Sequence, residues 1–345
     1  NVKEKLNSII LSMAEHHWLF SKNPGHDFTR QHLGKLSFYD TMRLIISMGK
    51  GSTNDEIMDY FDLDPDLIPS QSAFCQRRRQ ISLSAFEYLF SEFSSSFPST
   101  TDKFKDHCIL ACDGCHVVYA TNSDIIEDYN KPRLIDYKGY NHMHLNGFVD
   151  VISKAFLDVV IQPGQQPDER EALHSMLDHF TPDDPQKYII TADRGYESYD
   201  LLFHCELKNL GYVFRVKSPS SPKSILSYYA SELPDDLEEF DVTIKRFFTD
   251  KATNIMKSQS DVYRYINPSK NTPHFYELLR KKHSHLYFLQ FRVVKIKTAE
   301  NTQEIYSRLI LYNFGIFIAN EAAEENRKKK RDGSNKYLYE LDFSS

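Results

Sequence analysis

Apolar residues over the first hundred positions recur at three- and four-residue spacing, as in Phe38, Met42, Ile45 and Ile46 and again in Phe86, Leu89 and Phe93. Side chains at that period share one face of a helix, so the pattern predicts short helices from residue 2 to about 97. Gly51-Ser52-Thr53-Asn54 supplies turn and N-cap chemistry before Glu56-Ile57-Met58, and 62–70, with two prolines, reads as a linker. The stretch Ser70-Gln71-Ser72-Ala73-Phe74-Cys75-Gln76-Arg77-Arg78-Arg79 then suggests a helix-turn-helix-like module, and an ordinary helical bundle fits the same pattern equally well.

From His107 the texture changes to β. Residues 108–119 read as a strand rich in branched and apolar side chains, and 142–161 as two more that meet at a turn around Ser153-Lys154. A helix follows over 168–180, with Ala172, Leu173, Met176, Leu177 and Phe180 on one face. Then come a short buried strand at 188–192, a helix at 198–209 and a strand at 211–217. Three strands, helix, strand, helix, strand is the element order of a ribonuclease-H-like mixed sheet with flanking helices.

Residues 218–297 differ: Ser218 to Pro222 is loop chemistry, 241–248 and 286–297 alternate as strands, and Pro268 and Pro273 break them. The fold class is therefore α/β, a ribonuclease-H-like sheet with a β-rich insertion at about 218–297, preceded by an all-helical domain. The expected boundaries are 1–106 for the helical domain, 107–320 for the sheet domain and 321–345 for a polar tail. The stretch 305–319 reads as a core helix, interrupted by Arg308 and Asn313 and too short to span a bilayer.

Composition adds that 41% hydrophobic and 13% aromatic residues are those of a folded chain, which excludes a disordered one. The net charge of −6 and pI near 6.2 exclude a uniformly basic surface, so any nucleic-acid contact must be a local patch. Two runs qualify, Arg77-Arg78-Arg79 and Arg327-Lys328-Lys329-Lys330-Arg331, although such runs are more often solvated surface. Five cysteines, an odd number, and the lack of a secretory signal point to reduced thiols and a cytoplasmic setting. Cys112 and Cys115 resemble half a zinc motif, but strand alternation sends them to opposite faces. His142 and His144 share a strand face, which reads as a polar face near a nucleic acid in the absence of a third ligand nearby.

Asp113 falls inside an apolar strand and Asp193 where the next core strand gives way to Arg194-Gly195-Tyr196. A carboxylate within a core strand is costly unless it is paired or binds a cation, and hard divalent cations prefer carboxylate oxygen. The plainer alternative is that Asp113 ends its strand and Asp193 caps the following helix.

Leu110-Ala111-Cys112-Asp113-Gly114, Lys138-Gly139-Tyr140-Asn141 with His144-Leu145-Asn146, and Ile161-Gln162-Pro163 with Glu169-Arg170 occur in order. Ala192-Asp193-Arg194-Gly195-Tyr196-Glu197-Ser198 and Tyr312-Asn313-Phe314 follow. Together they resemble the DDE transposases of bacterial insertion sequences, of the IS-four type with a β-strand insertion before the last catalytic residue. Lys35-Leu36-Ser37-Phe38 and Ser72-Ala73-Phe74 with Gln76-Arg77 are similar to that family's leading domain, so the resemblance runs from about 28 to 314.

The resemblance implies that Asp113 and Asp193 are catalytic, metal-binding members of an Asp-Asp-Glu set using Mg²⁺ or Mn²⁺, with Asp113 bridging two ions. It implies in-line displacement at phosphorus in double-stranded DNA bearing terminal inverted repeats, by a homodimer in a synaptic complex at the bacterial nucleoid. Arg77, Arg78, Arg194 and Lys217 become candidate DNA contacts, Lys217 being as readily a solvated strand end.

The chain departs from the family at its third carboxylate. Relatives carry that Glu in a signature of Tyr, two residues, Arg, three residues, Glu, six residues, Lys, which has no counterpart here. Lys297 runs almost directly into Thr298-Ala299-Glu300, and Glu300 and Glu304 are the substitutes at hand. Three readings stay open: a transposase of weak or no activity, a decayed one that only binds DNA, and a metal-dependent nuclease.

Overall fold

The computed structural model describes residues 1–29, 36–96, 104–131, 139–251, 253–267 and 272–296. The described residues fall in two compact units, divided between Arg215 and Val216. Residues 300 and beyond, with Glu300, Glu304, the basic run at 327–331 and the helix expected at 305–319, lie outside the described residues.

The first unit opens with five helices: α1 (Val2–Glu15), α2 (Phe38–Ser47), α3 (Thr53–Tyr60), α4 (Gln71–Gln80) and α5 (Leu83–Ser95). Side-chain caps set four of the starts, where Asn1, Ser37, Ser52 and Ser70 accept from the backbone N–H groups of Lys3, Asp40, Asp55 and Ala73. The apolar stripes close on one core that includes Ile10, Met13, Phe38, Met42 and Ala85, and on a smaller one of Leu36, Leu44, Ile57 and Phe74.

The same unit continues with β1 (Cys108–Tyr119), β2 (Tyr129–Asn130), β3 (Tyr140–Asp150), β4 (Phe156–Pro163), α6 (Glu169–His179), β5 (Tyr188–Ala192), α7 (Tyr199–Leu207) and β6 (Gly211–Phe214). β3 pairs antiparallel with β1 along one edge and with β4 and the short β2 along the other. β5 lies parallel to β1, and β6 parallel to β5. The order β4-β3-β1-β5-β6 is a meander followed by two parallel additions, each reached through a helix as parallel neighbours require. This is the ribonuclease-H-like sheet, α/β with preceding helices, that the element order implied.

Period-two alternation puts Leu110 and Cys112 of β1, Phe148 of β3 and Ile190 and Ala192 of β5 on one face, where they pack with Ala172, Leu173, Met176 and Leu177 of α6 and Leu201 and Cys205 of α7. α6 and α7 are also tied by a stacked histidine pair. His174 and His204 meet through their Nδ1 atoms at 2.9 Å, while their Nε2 atoms face Asp200 and Asp178 at 3.6 and 3.1 Å.

The second unit contains a three-stranded sheet ordered β8-β7-β9, from β7 (Phe240–Thr249), β8 (Tyr263–Tyr265) and β9 (Leu286–Lys295). Two helices accompany it, α8 (Asn254–Ser258) and α9 (Pro273–Lys281), so the region is less purely β than its sequence pattern suggested. Pro273 is the reason: it breaks a strand, but it sits in the first turn of α9, where its missing N–H costs nothing. The strand expected over 211–217 also ends early, at Phe214.

Leu173 is fully buried at the centre of the α6 contact with the sheet. Leu173→Ala is expected to lower unfolding free energy by about 2–5 kcal/mol in urea titration, against less than about 0.5 kcal/mol for the exposed Glu171→Ala. Equal effects would place α6 elsewhere.

Candidate active site

Register places the two aspartates. Cys112 of β1 is the parallel partner of Ala192, the last residue of β5, and each aspartate is the next residue along its strand. Asp113 and Asp193 therefore leave adjacent strands at one level. Asp113 lies on the face opposite Cys112, and both aspartates are exposed while Cys112 and Ala192 are buried.

That exposure corrects one step of the sequence argument. Asp113 is not a charge embedded in the core, so no burial cost has to be offset. What distinguishes it is position, at the centre of the sheet beside a second carboxylate. Nor does Asp193 cap the next helix, since Ser198 is the residue whose side chain accepts from Asp200 N at the start of α7. The two carboxylates are oriented in the same way: Gly114 N donates to Asp113 Oδ1 at 2.9 Å, and Gly195 N to Asp193 Oδ1 at 2.7 Å. Oδ2 of each is left as the oxygen that can turn toward a cation.

Beneath them the recurring sequence motifs converge into one hydrogen-bond network. Tyr196, fully buried, donates through its hydroxyl to Asn146 Oδ1 at 3.1 Å. Asn146 Nδ2 donates to Gln162 Oε1 at 3.2 Å, and Gln162 both accepts from Asp168 N and donates to Asp168 O. Asp168 is the N-cap of α6, its Oδ1 accepting from Arg170 N and Glu171 N, both at 3.1 Å. Arg170 Nε reaches back to Gly195 O at 3.4 Å. The start of α6 and the turn after β5 are thus fixed to each other and to β3 and β4.

This layer carries little charge. Burial pushes the Cys112 thiol up to about 12, with the nearby Asp113 and Glu169 carboxylates adding to the shift, and burial raises the Tyr196 hydroxyl in the same way. Both stay protonated at neutral pH, so neither places an anion under the aspartates.

Glu169, which opens α6, was missed as a site residue although it stood in a recognised motif. Its Oε2 lies so close to Gly195 that a Cβ there would be 2.1 Å away, and the same Cβ would stand 3.1 Å from Asp193 Oδ1. Only glycine fits at 195 with Glu169 in this position. The signal available in the sequence was Glu169-Arg170 followed by an Arg-Gly-Tyr turn, but nothing in spacing shows that they meet.

The basic candidates are scattered. Arg77 is half-buried in α4, its guanidinium stacked 5.1 Å over the Phe28 ring and donating to Gln80 Oε1 at 3.1 Å. Arg78 and Arg79 are exposed on the same helix, and Arg194 is exposed beside Asp193. Lys217 lies in the second unit, half-buried, its carbonyl accepting from Ser224 Oγ. His142 and His144 do not form a solvent-facing polar surface: they are 7% and 3% exposed and meet the His116 ring on the helix-covered side of the sheet. No helix among the described residues is long and apolar enough to cross a membrane.

Thiol alkylation reads this geometry. Cys115 is exposed, whereas Cys108, Cys112 and Cys205 are buried. At pH 8, Cys115 is expected to react with iodoacetamide under native conditions and Cys112 only after denaturation, because the thiolate is the reactive species. Comparable native labelling of Cys112 by peptide mass spectrometry would mean a β1 register shifted by one residue, with Asp113 turned inward.

Among functionally curated proteins, none matches the sequence. Among solved structures the chain is similar to the Drosophila P element transposase strand transfer complex, at 12% identity and a TM-score of 0.21, over 52% of this chain and 45% of that one. That likeness is too low to carry an argument. The family described as Transposase DDE domain matches residues 104–314, from just before β1 into the second unit, and covers more than half of the chain. The chain belongs to the DDE transposase family.

Proposed function

We propose that this protein is an insertion-sequence transposase of the IS-four type, acting on double-stranded DNA with terminal inverted repeats, with Asp113 and Asp193 as its metal-binding catalytic carboxylates. The observation that carries the reading is the matched placement of the two aspartates at the ends of a core-strand register, Cys112 opposite Ala192. The donor set fits a hard divalent cation, Mg²⁺ or Mn²⁺: two exposed carboxylates, each oriented by a backbone N–H, above a protonated layer. When bound there, such a cation supplies Lewis-acid activation of an oxygen nucleophile and of the departing oxygen in displacement at phosphorus. The chain's own part is to hold the carboxylates at fixed separation and to exclude water from beneath them.

DNA binding belongs to the helical segment 1–106, with Arg78 and Arg79 as the phosphate contacts and Arg194 close to the scissile strand. Arg77 serves mainly to brace α4 against Phe28, and Lys217 contacts DNA from the second unit. The active assembly is a homodimer synapsing two ends at the bacterial nucleoid. Since the late helix that bears the third carboxylate in relatives has no counterpart in the sequence, cleavage and strand transfer are weak or absent while DNA binding persists.

Incubation with DNA carrying the element's own ends and Mg²⁺ or Mn²⁺ is expected to yield retained complexes and little nicking. Robust cleavage abolished by Asp193→Ala would overturn the claim of weak activity, and measurable nicking by the parent that is unchanged in both Asp113→Asn and Asp193→Asn would overturn the site. For the helical segment, replacing Arg78 and Arg79 by Ala is expected to reduce the salt dependence of binding by about one phosphate contact per arginine. A log–log slope equal to that of the parent protein would remove α4 from the interface.

A further inference from the structure

Two features at the edge of the site have no place in the reading above. The first is Glu169, the opening residue of α6, whose carboxylate converges with that of Asp193 on the Gly195 backbone. Distances of 2.1 and 3.1 Å from one virtual Cβ mean that Glu169 Oε2 and Asp193 Oδ1 cannot be farther apart than the sum of the two. Carboxylates held this close repel each other unless a proton or a cation is shared between them.

The second feature is His144. It is 3% exposed on β3, neither ring nitrogen makes a hydrogen bond among the described residues, and Nε2 points at Glu169 Oε1 from 3.5 Å. Leaving a buried polar group unsatisfied costs about 1–3 kcal/mol. Gly114 is what lets the ring approach β1, since a Cβ there would stand 2.5 Å from Nε2. A glycine on β1 and one in the turn after β5 thus clear room for a buried histidine and for a carboxylate held against that of Asp193.

Resting on the reading of Asp113 and Asp193 as metal ligands, we propose that Glu169 is a further carboxylate that shares the divalent cation of Asp193 across the Gly195 turn, with His144 as the positioning residue behind it. A cation shared with Asp193 removes the repulsion across Gly195. His144 then orients Glu169 from the buried side by donating Nε2–H to Oε1, the usual relation between a ligand carboxylate and its outer partner. The N-cap network holds the start of α6 in register with the turn after β5, so this donor is built into the sheet unit itself and does not depend on a late helix.

Manganese binding by the full chain tests this without reference to catalysis. Free Mn²⁺ is measured by electron paramagnetic resonance during titration of the parent protein and of Asp113→Asn, Asp193→Asn, Glu169→Gln and Glu171→Gln, each first shown to melt cooperatively by circular dichroism. Glu169→Gln is expected to weaken Mn²⁺ binding roughly tenfold or more, as Asp193→Asn does, while Glu171→Gln, an exposed charge in the same helical turn, leaves it unchanged. Gly195→Ala keeps every carboxylate but displaces Glu169, and is expected to weaken binding in the same direction, which covers the case of a poorly folded Glu169→Gln.

Parent-like affinity in both Glu169→Gln and Gly195→Ala, with Asp193→Asn weakened, would overturn the role of Glu169 and leave the two-aspartate reading standing. Absence of Mn²⁺ binding in the parent, or no effect of either aspartate variant, would overturn that reading together with this one. His144 is separated from a purely structural role by a double-mutant cycle: the loss caused by His144→Gln is expected to vanish in the Glu169→Gln background. Additive losses would overturn the positioning role.

Discussion

Strand β1 lies between an antiparallel neighbour and a parallel one, and the whole site hangs on its register. Cys112 faces Phe148 across one edge and Ala192 across the other, and all three are buried against α6 and α7. Because side chains alternate, a slip of one residue would drive Asp113 into that layer and bring Cys112 out. Burying Leu110, Cys112, Phe148 and Ile190 together is therefore what fixes where the carboxylates emerge, at about 1.5–3 kcal/mol for each large side chain. The apolar face specifies the polar one.

The register would still leave the strand ends free to fray, and the hydrogen-bond network removes that freedom. Asn146, Gln162 and Tyr196 join β3, β4 and the turn after β5, and the two backbone bonds of Gln162 to Asp168 carry the fixation on to the N-cap of α6. At its buried end, where Tyr196 meets Asn146, each bond strengthens the next, and loss of one member leaves its partner unsatisfied. This explains why short motifs far apart in sequence belong together: they are successive links of one chain of donors and acceptors.

Much of this was legible in the sequence and some was not, for definable reasons. The strand at 188–192 and the helices after Asp168 and Ser198 were readable because alternation, three-to-four spacing and capping side chains are local signals. Local signals do not specify which strands become neighbours, so the adjacency of Asp113 and Asp193 rested on family resemblance until the pairing of β1 with β5 supplied it. The i, i+2 spacing of His142 and His144 correctly put them on one face and could not say which, and burial reversed the expected side. Arg77 in its arginine run shows the same limit, since only the fold brings Phe28 beneath its guanidinium. Glu169 was missed because its meaning lies in a through-space approach to Gly195, 26 positions later in the chain, that no periodicity encodes.

Cys112 and Tyr196 lie directly under the carboxylates, and either of them as an anion would compete for a cation or push it away. Burial keeps both protonated, and the carboxylates themselves reinforce this, since Asp113 and Glu169 each raise the Cys112 thiol and the Tyr196 hydroxyl further. The influence runs both ways. A layer that does not ionise leaves the carboxylates of Asp113, Asp193 and Glu169 without a competing anion beneath them, and on the proposed reading weak screening from the protein side would strengthen their pull on a hard cation approaching from solvent. The apolar core that sets the register is thus also the electrostatic floor of the site, which ties the position of the carboxylates and the chemistry open to them to one feature of the fold.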